Sequence, residues 1–139
     1  MVVMLGAIVT VAYAATPKLG SIFMGSSAHK HYALSIQAKC SGNCKQATRV
    51  GIQVTAGNPK HRGGKCPYGV YQLNSATIKD GKFSAKGRFT AKGKLGFEVS
   101  GTFTSVTKVR GRISGPKSCG GSEGYSLKAG GAGTAPGGY

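Results

Sequence analysis

Three carboxylates, three histidines and four cysteines are the groups of this 139-residue chain from which a carboxylate pair, a relay base, a thiolate or a metal site would be built. General acid–base work by paired carboxylates needs two of them at close range. Asp80 precedes Gly81 in a turn signal, Glu98 falls mid-strand on a polar face, and Glu123 lies in a glycine-rich stretch that predicts a loop. Scattered in this way they do not make a glycosidase or aspartic-type pair. A Ser/His/Asp relay needs a base beside a nucleophile. His29, His31 and His61 all fall in predicted loops or just before strands, and Asp80 is already committed. On an extended chain His29 and His31 share a face and could grip one copper or zinc ion. Two ligands hold a metal weakly, and the sequence offers no third. The residue types therefore predict a non-enzymatic protein with no cofactor and no metal site.

Cys40, Cys44, Cys66 and Cys119 form an even set, which in a short exported chain reads as two disulfides with three possible pairings. A closed zinc site is the competing chemistry, but it usually presents two close pairs, and only Cys40 and Cys44 are close. Ser41-Gly42-Asn43 reads as a three-residue hairpin loop, which sets Cys40 opposite Cys44 at a bridgeable separation. Cys66 and Cys119 then pair by remainder, and no thiolate nucleophile is left.

Nineteen Lys and Arg face those three carboxylates, for a net charge of +16, and no cation precedes Lys18. Such a charge favours polyanionic partners: nucleic acid, anionic wall polymers or acidic lipid head groups. Residues 1–14, MVVMLGAIVTVAYA, are uncharged and end in Ala12-Tyr13-Ala14, a small-x-small pattern. The run is too short to span a bilayer, which takes about 20 residues, and it reads as a signal peptide cleaved before Ala15. No Lys or Arg precedes it, and a buried N-terminal strand is the competing reading. Export to the cell envelope or beyond is the expectation, with no transmembrane segment.

The elements that would position these groups are strands. Apolar residues alternate with polar ones at Tyr32–Ala38, Val50–Ala56, Phe83–Phe89, Leu95–Phe103 and Val109–Ile113, with weaker runs at 19–24, 69–78 and 125–129. Short turn signals separate them, the strongest being Asp80-Gly81, since both residues tolerate the positive φ of a type I′ turn. The expected fold is all-β: an antiparallel up-and-down meander of about eight strands, closed as a small barrel or sandwich to hide its edges. It spans residues 15–129, interrupted by a polar basic loop at 57–65 and followed by a flexible Gly-rich tail at 130–139.

This scheme places Lys82, Lys86 and Arg88 on the polar face of one strand and Lys108, Arg110 and Arg112 on that of another. The strand between them turns Glu98, Ser100 and Thr102 outward. Phe83, Phe89, Phe97 and Phe103 point inward, and only Tyr68 and Tyr71 remain to stack bases. Recognition of a specific nucleic acid is not expected.

Three motifs carry a resemblance. Ile78-Lys79-Asp80-Gly81-Lys82-Phe83, Val99-Ser100-Gly101-Thr102-Phe103 and Val109-Arg110-Gly111-Arg112-Ile113 occur in this order, followed by Cys119 and a last strand. This resembles a group of uncharacterised secreted β-proteins of high-GC Gram-positive bacteria, over roughly residues 66–129. The resemblance implies a secreted all-β domain and transfers no catalytic residue. The Cys40–Cys44 pair and the absence of a Trp in the last strand depart from the group's pattern. The expected role is a binding or structural module at the cell envelope. The alternatives are an electrostatic, non-specific polyanion binder and a barrel that holds one small ligand.

Overall fold

Alternation becomes strand because successive side chains leave a strand on opposite sides, and only one side can be buried. The computed structural model describes residues 15–60, 65–89 and 95–130, without the side chain of Phe89. The expected signal segment, His61-Arg62 of the basic loop, the Gly93-Lys94 turn and the tail from 131 onward lie outside the described residues. The strands are β1 (Ile22–Ser26), β2 (Ala33–Lys39), β3 (Arg49–Ala56), β4 (Gly69–Gln72), β5 (Ala76–Thr77), β6 (Lys82–Phe89), β7 (Leu95–Ser105), β8 (Lys108–Ser114) and β9 (Ser122–Ala129). A 3-10 turn at Lys117–Cys119 precedes β9. All pairings are antiparallel, and the sheet runs β4-β3-β2-β1-β9-β8-β7-β6. It curls into a nearly closed barrel, the all-β class and up-and-down architecture expected.

The inward sides form one core. Phe23, Leu34, Ile36, Val50, Ile52, Val54, Val99, Phe103, Val109 and Ile113 are each 0% exposed. Phe103 stacks at a tilt on Phe23 at 5.3 Å and on Phe83 at 5.4 Å, so aromatic rings link β1, β6 and β7 across the interior. Burying side chains of this size contributes about 1.5–3 kcal/mol each.

Gly101 and Gly111 have a specific task. Tyr125 of β9 lies across both, and its hydroxyl donates to the Ser100 carbonyl at 2.8 Å. A Cβ on Gly101 would overlap the Tyr125 hydroxyl and come within 2.6 Å of the Phe83 ring. A Cβ on Gly111 would run into the backbone of Ser100 and Gly101. Gly101 therefore leaves the space that Tyr125 occupies, while Gly111 permits the close approach of β8 to the backbone of β7.

Three local expectations are corrected. The run at 69–78 splits into β4 and β5, and both pair with β3 instead of continuing the meander into β6. The Asp80-Gly81 turn does form, with φ +51° and +71° and reciprocal bonds between Lys79 and Lys82. Its upstream arm is only the bridge at Lys79, so a seam remains between β4 and β6, crossed by Asn74 N–H donating to the Lys86 carbonyl. Second, Cys40 and Cys44 pair, but not across a hairpin. Lys39 and Arg49 are the last partners of β2 and β3, and the disulfide closes a small ring within the longer connection, with Cα atoms 6.1 Å apart. Third, Glu123 belongs to β9, not to a loop. Cys66 and Cys119 also pair, with Cα atoms 5.2 Å apart, and this disulfide ties the segment before β4 to the 3-10 turn before β9.

Candidate functional site

The register of β6, β7, β8 and β9 brings the expected cations onto one outer surface. Lys82 lies opposite Thr102, which lies opposite Arg110 and then Ser126. The next row is Ser84, Ser100, Arg112 and Gly124, and the next is Lys86, Glu98, Ser114 and Ser122. Arg88 extends β6 beyond Lys86, and Lys108 stands opposite Lys128, a cation that sequence reasoning left out. Its parity with Ser126 on β9 was the available signal. Lys82, Lys86, Arg88, Lys108, Arg110, Arg112 and Lys128 are all exposed.

Glu98 is the one carboxylate in these rows. It accepts a hydrogen bond from Ser84 Oγ at 3.4 Å. Among the described residues the single salt-bridge-type contact within 4.0 Å is His31–Glu123, so Glu98, although opposite Lys86, makes no direct ion pair with the face's cations. Arg112 is oriented by a bond from its guanidinium to Ser122 Oγ at 3.1 Å. A surface of this kind can attract anions by its field and by charge-assisted hydrogen bonds, with arginines suited to forked contacts.

The aromatic residues are elsewhere. Phe83, Phe97 and Phe103 are buried. Tyr71, one of two candidates for base stacking, packs on Phe97 at 5.0 Å and donates its hydroxyl to the Pro67 carbonyl. Burial raises its pKa above that of a free tyrosine. Tyr68 is half-buried, with its backbone against Gly57.

A second polar cluster sits at one end of the barrel. Glu123 shares parity with Tyr125 and Leu127, faces inward and is 3% exposed. A buried carboxylate needs partners, and it has two: the His29 backbone N–H at 2.6 Å and His31 Nδ1 at 2.9 Å. His29 and His31 thus serve the β1–β2 turn, and the described residues contain no group of three or more His, Cys, Asp or Glu placed to hold a metal ion. Beside them Tyr32 donates to the Gly121 carbonyl at 2.7 Å. Burial first and the Glu123 charge second push its pKa up to about 12.

No helix among the described residues is long and apolar enough to cross a membrane. Comparison of the chain with protein-family models, with curated proteins and with solved structures finds no match.

Proposed function

We propose that this protein is an exported, non-enzymatic binding module that holds anionic polymers on the outer face of β6–β9. The observation that carries this is the arrangement of Lys82, Lys86, Arg88, Lys108, Arg110, Arg112 and Lys128 around one carboxylate that pairs with none of them. Binding is electrostatic and does not read bases, because Phe83, Phe97 and Phe103 are committed to the core. The small-ligand alternative is less well supported, since side chains of a single core cluster occupy the barrel interior. Two disulfides are compatible with an oxidising compartment. Cleavage before Ala15 would leave the new amine at the position where Ala15 N now donates to the Phe103 carbonyl at 2.9 Å.

The test is the salt dependence of binding to duplex DNA and to a phosphate-rich polymer. Each neutralised phosphate on duplex DNA contributes about −0.9 to the slope of log K against log salt. Four contacts give a slope of roughly −3.6, a loss on the order of 100-fold between about 50 and 200 mM salt. Affinity independent of salt overturns the proposal.

A further inference from the structure

The disulfide end of the barrel carries a separate concentration of positive charge. By joining Cys66 to Cys119, the chain brings Lys65 and Lys117 to one cleft of about 540 Å³. Lys30 and His31 line the same cleft from the β1–β2 turn, Asn58 lines it from beyond β3, and among the described residues no carboxylate does. Ser118 Oγ donates to the Lys65 carbonyl at 3.2 Å, a second tie between the two lysine-bearing segments. Glu123 holds His31 by Nδ1, which leaves Nε2 as the ring nitrogen available to a ligand. Asn58 uses its carbonyl oxygen on the Lys60 N–H, so its amide N–H groups remain for an acceptor.

Two features go against what folding alone would choose. Lys30 sits at φ +61°, in the left-handed region that favours glycine or asparagine. Like charges collected around a concavity also repel each other, and here a disulfide limits how far Lys65 and Lys117 can separate. A multiply charged anion in the cleft relieves that repulsion. The volume falls in the range of small-molecule pockets, about 300–1,000 Å³, and leaves room for more than an inorganic ion. Pro59 offers an apolar patch of wall.

We propose that this cleft binds a phosphate-bearing small molecule, its phosphate held by Lys30, Lys65, Lys117 and His31. The site shares no residue with the outer face of β6–β9, so the two proposals fail separately. The test is calorimetric titration of the oxidised protein with phenyl phosphate and with inorganic phosphate, at a salt concentration that suppresses polymer binding. Saturable one-to-one binding is expected, tighter for phenyl phosphate. Lys65→Gln and Lys117→Gln should each weaken it about tenfold, the value of one charge-assisted contact. The quadruple change Lys86→Ser, Arg88→Ser, Arg110→Ser and Arg112→Ser should leave it unchanged. All these side chains are exposed, and circular dichroism verifies that each variant is folded. Absence of saturable binding, or binding retained in both lysine variants, overturns the site. Equal affinity for the two ligands overturns the assignment to an organic phosphate.

Discussion

One cross-strand row runs from Lys108 through Lys128, Met24, Ser35 and Gln53 to Gln72, and its character changes halfway. In this row the residues on β8 and β9 are cations, and those on β1, β2, β3 and β4 are a methionine, a serine and two glutamines. Lys39 and Arg49 charge that second half only where β2 and β3 meet their connection. The two halves share one sheet, one core and one alternation, so burial makes the same demand on both outer faces: that they tolerate water. Solubility would be served equally by cations spread over both. Concentrating them on β6, β8 and β9, with Lys108 directly opposite Lys128, adds like-charge repulsion. The asymmetry is therefore not a requirement of the fold, and the proposed anionic partner would give it a reason.

The largest effect on the two halves comes from cutting the covalent tie between them. Replacing Cys66 and Cys119 by Ser should cost about 4 kcal/mol, because the bridge closes a long loop, while the same change at Cys40 and Cys44 should cost about 2. Denaturant unfolding of both double variants measures the difference, and equal losses would show that the link between halves is not the stronger staple. The next effect sharpens the contrast of faces. The quadruple serine variant of Lys86, Arg88, Arg110 and Arg112 should lose on the order of 100-fold in polyanion affinity at low salt, with its melting temperature little changed. Changing Ser35, Gln37 and Gln53 to Ala on the other half should leave affinity unaltered.

Within the cationic half, Gly101→Ala should destabilise by about 1–3 kcal/mol, since the new methyl meets Tyr125 and Phe83. At the barrel end, Glu123→Ala should cost about 1.5–3 kcal/mol by removing the acceptor of His29 N–H and His31. The smallest effect appears only in alkali. Unfolded tyrosine ionises near pH 10, whereas Tyr32 in the fold holds its proton up to about 12. Its contribution is intact below pH 10 and is lost as pH rises toward 12. Phenolate absorbance should follow loss of circular dichroism over that interval; full ionisation of all tyrosines before unfolding would contradict the burial of Tyr32 and Tyr125.

The cationic rows were legible because a side chain's face follows from parity alone: once Phe83 and Val109 are inward, Lys82 and Arg110 must be outward. Asp80-Gly81 was legible because few residue pairs accept two positive φ angles in succession. Parity does not encode the partner of a strand. Ala76 and Thr77 carry the same alternation whether they lie beside β6, as a meander requires, or beside β3, as they do. The same limit hid the reason for the Cys40–Cys44 ring, whose connection is longer than the hairpin inferred from Ser41-Gly42-Asn43. Glu123 was misplaced because Gly120, Gly121 and Gly124 surround it and obscure its parity with Tyr125 and Leu127. The cleft at Cys66–Cys119 was out of reach, since it assembles three segments that only the closed barrel brings together.

The position of β9 between β1 and β8 has a consequence for the order in which the molecule can be made. Strands β1 to β5 pair among themselves through short separations, and so do β6 to β8. The two sets are joined in the sheet by residues 122–129, almost the last of the described chain, and the Cys66–Cys119 bridge also waits on a late residue. Until that strand has left the ribosome, the growing chain holds two partial sheets with open edges and no way to close. Pairings of long sequence separation are intrinsically slow to form, so a chain that has not yet presented β9 stays unlocked. Closure of the sheet and formation of the Cys66–Cys119 bridge would then coincide, once the last strand arrives.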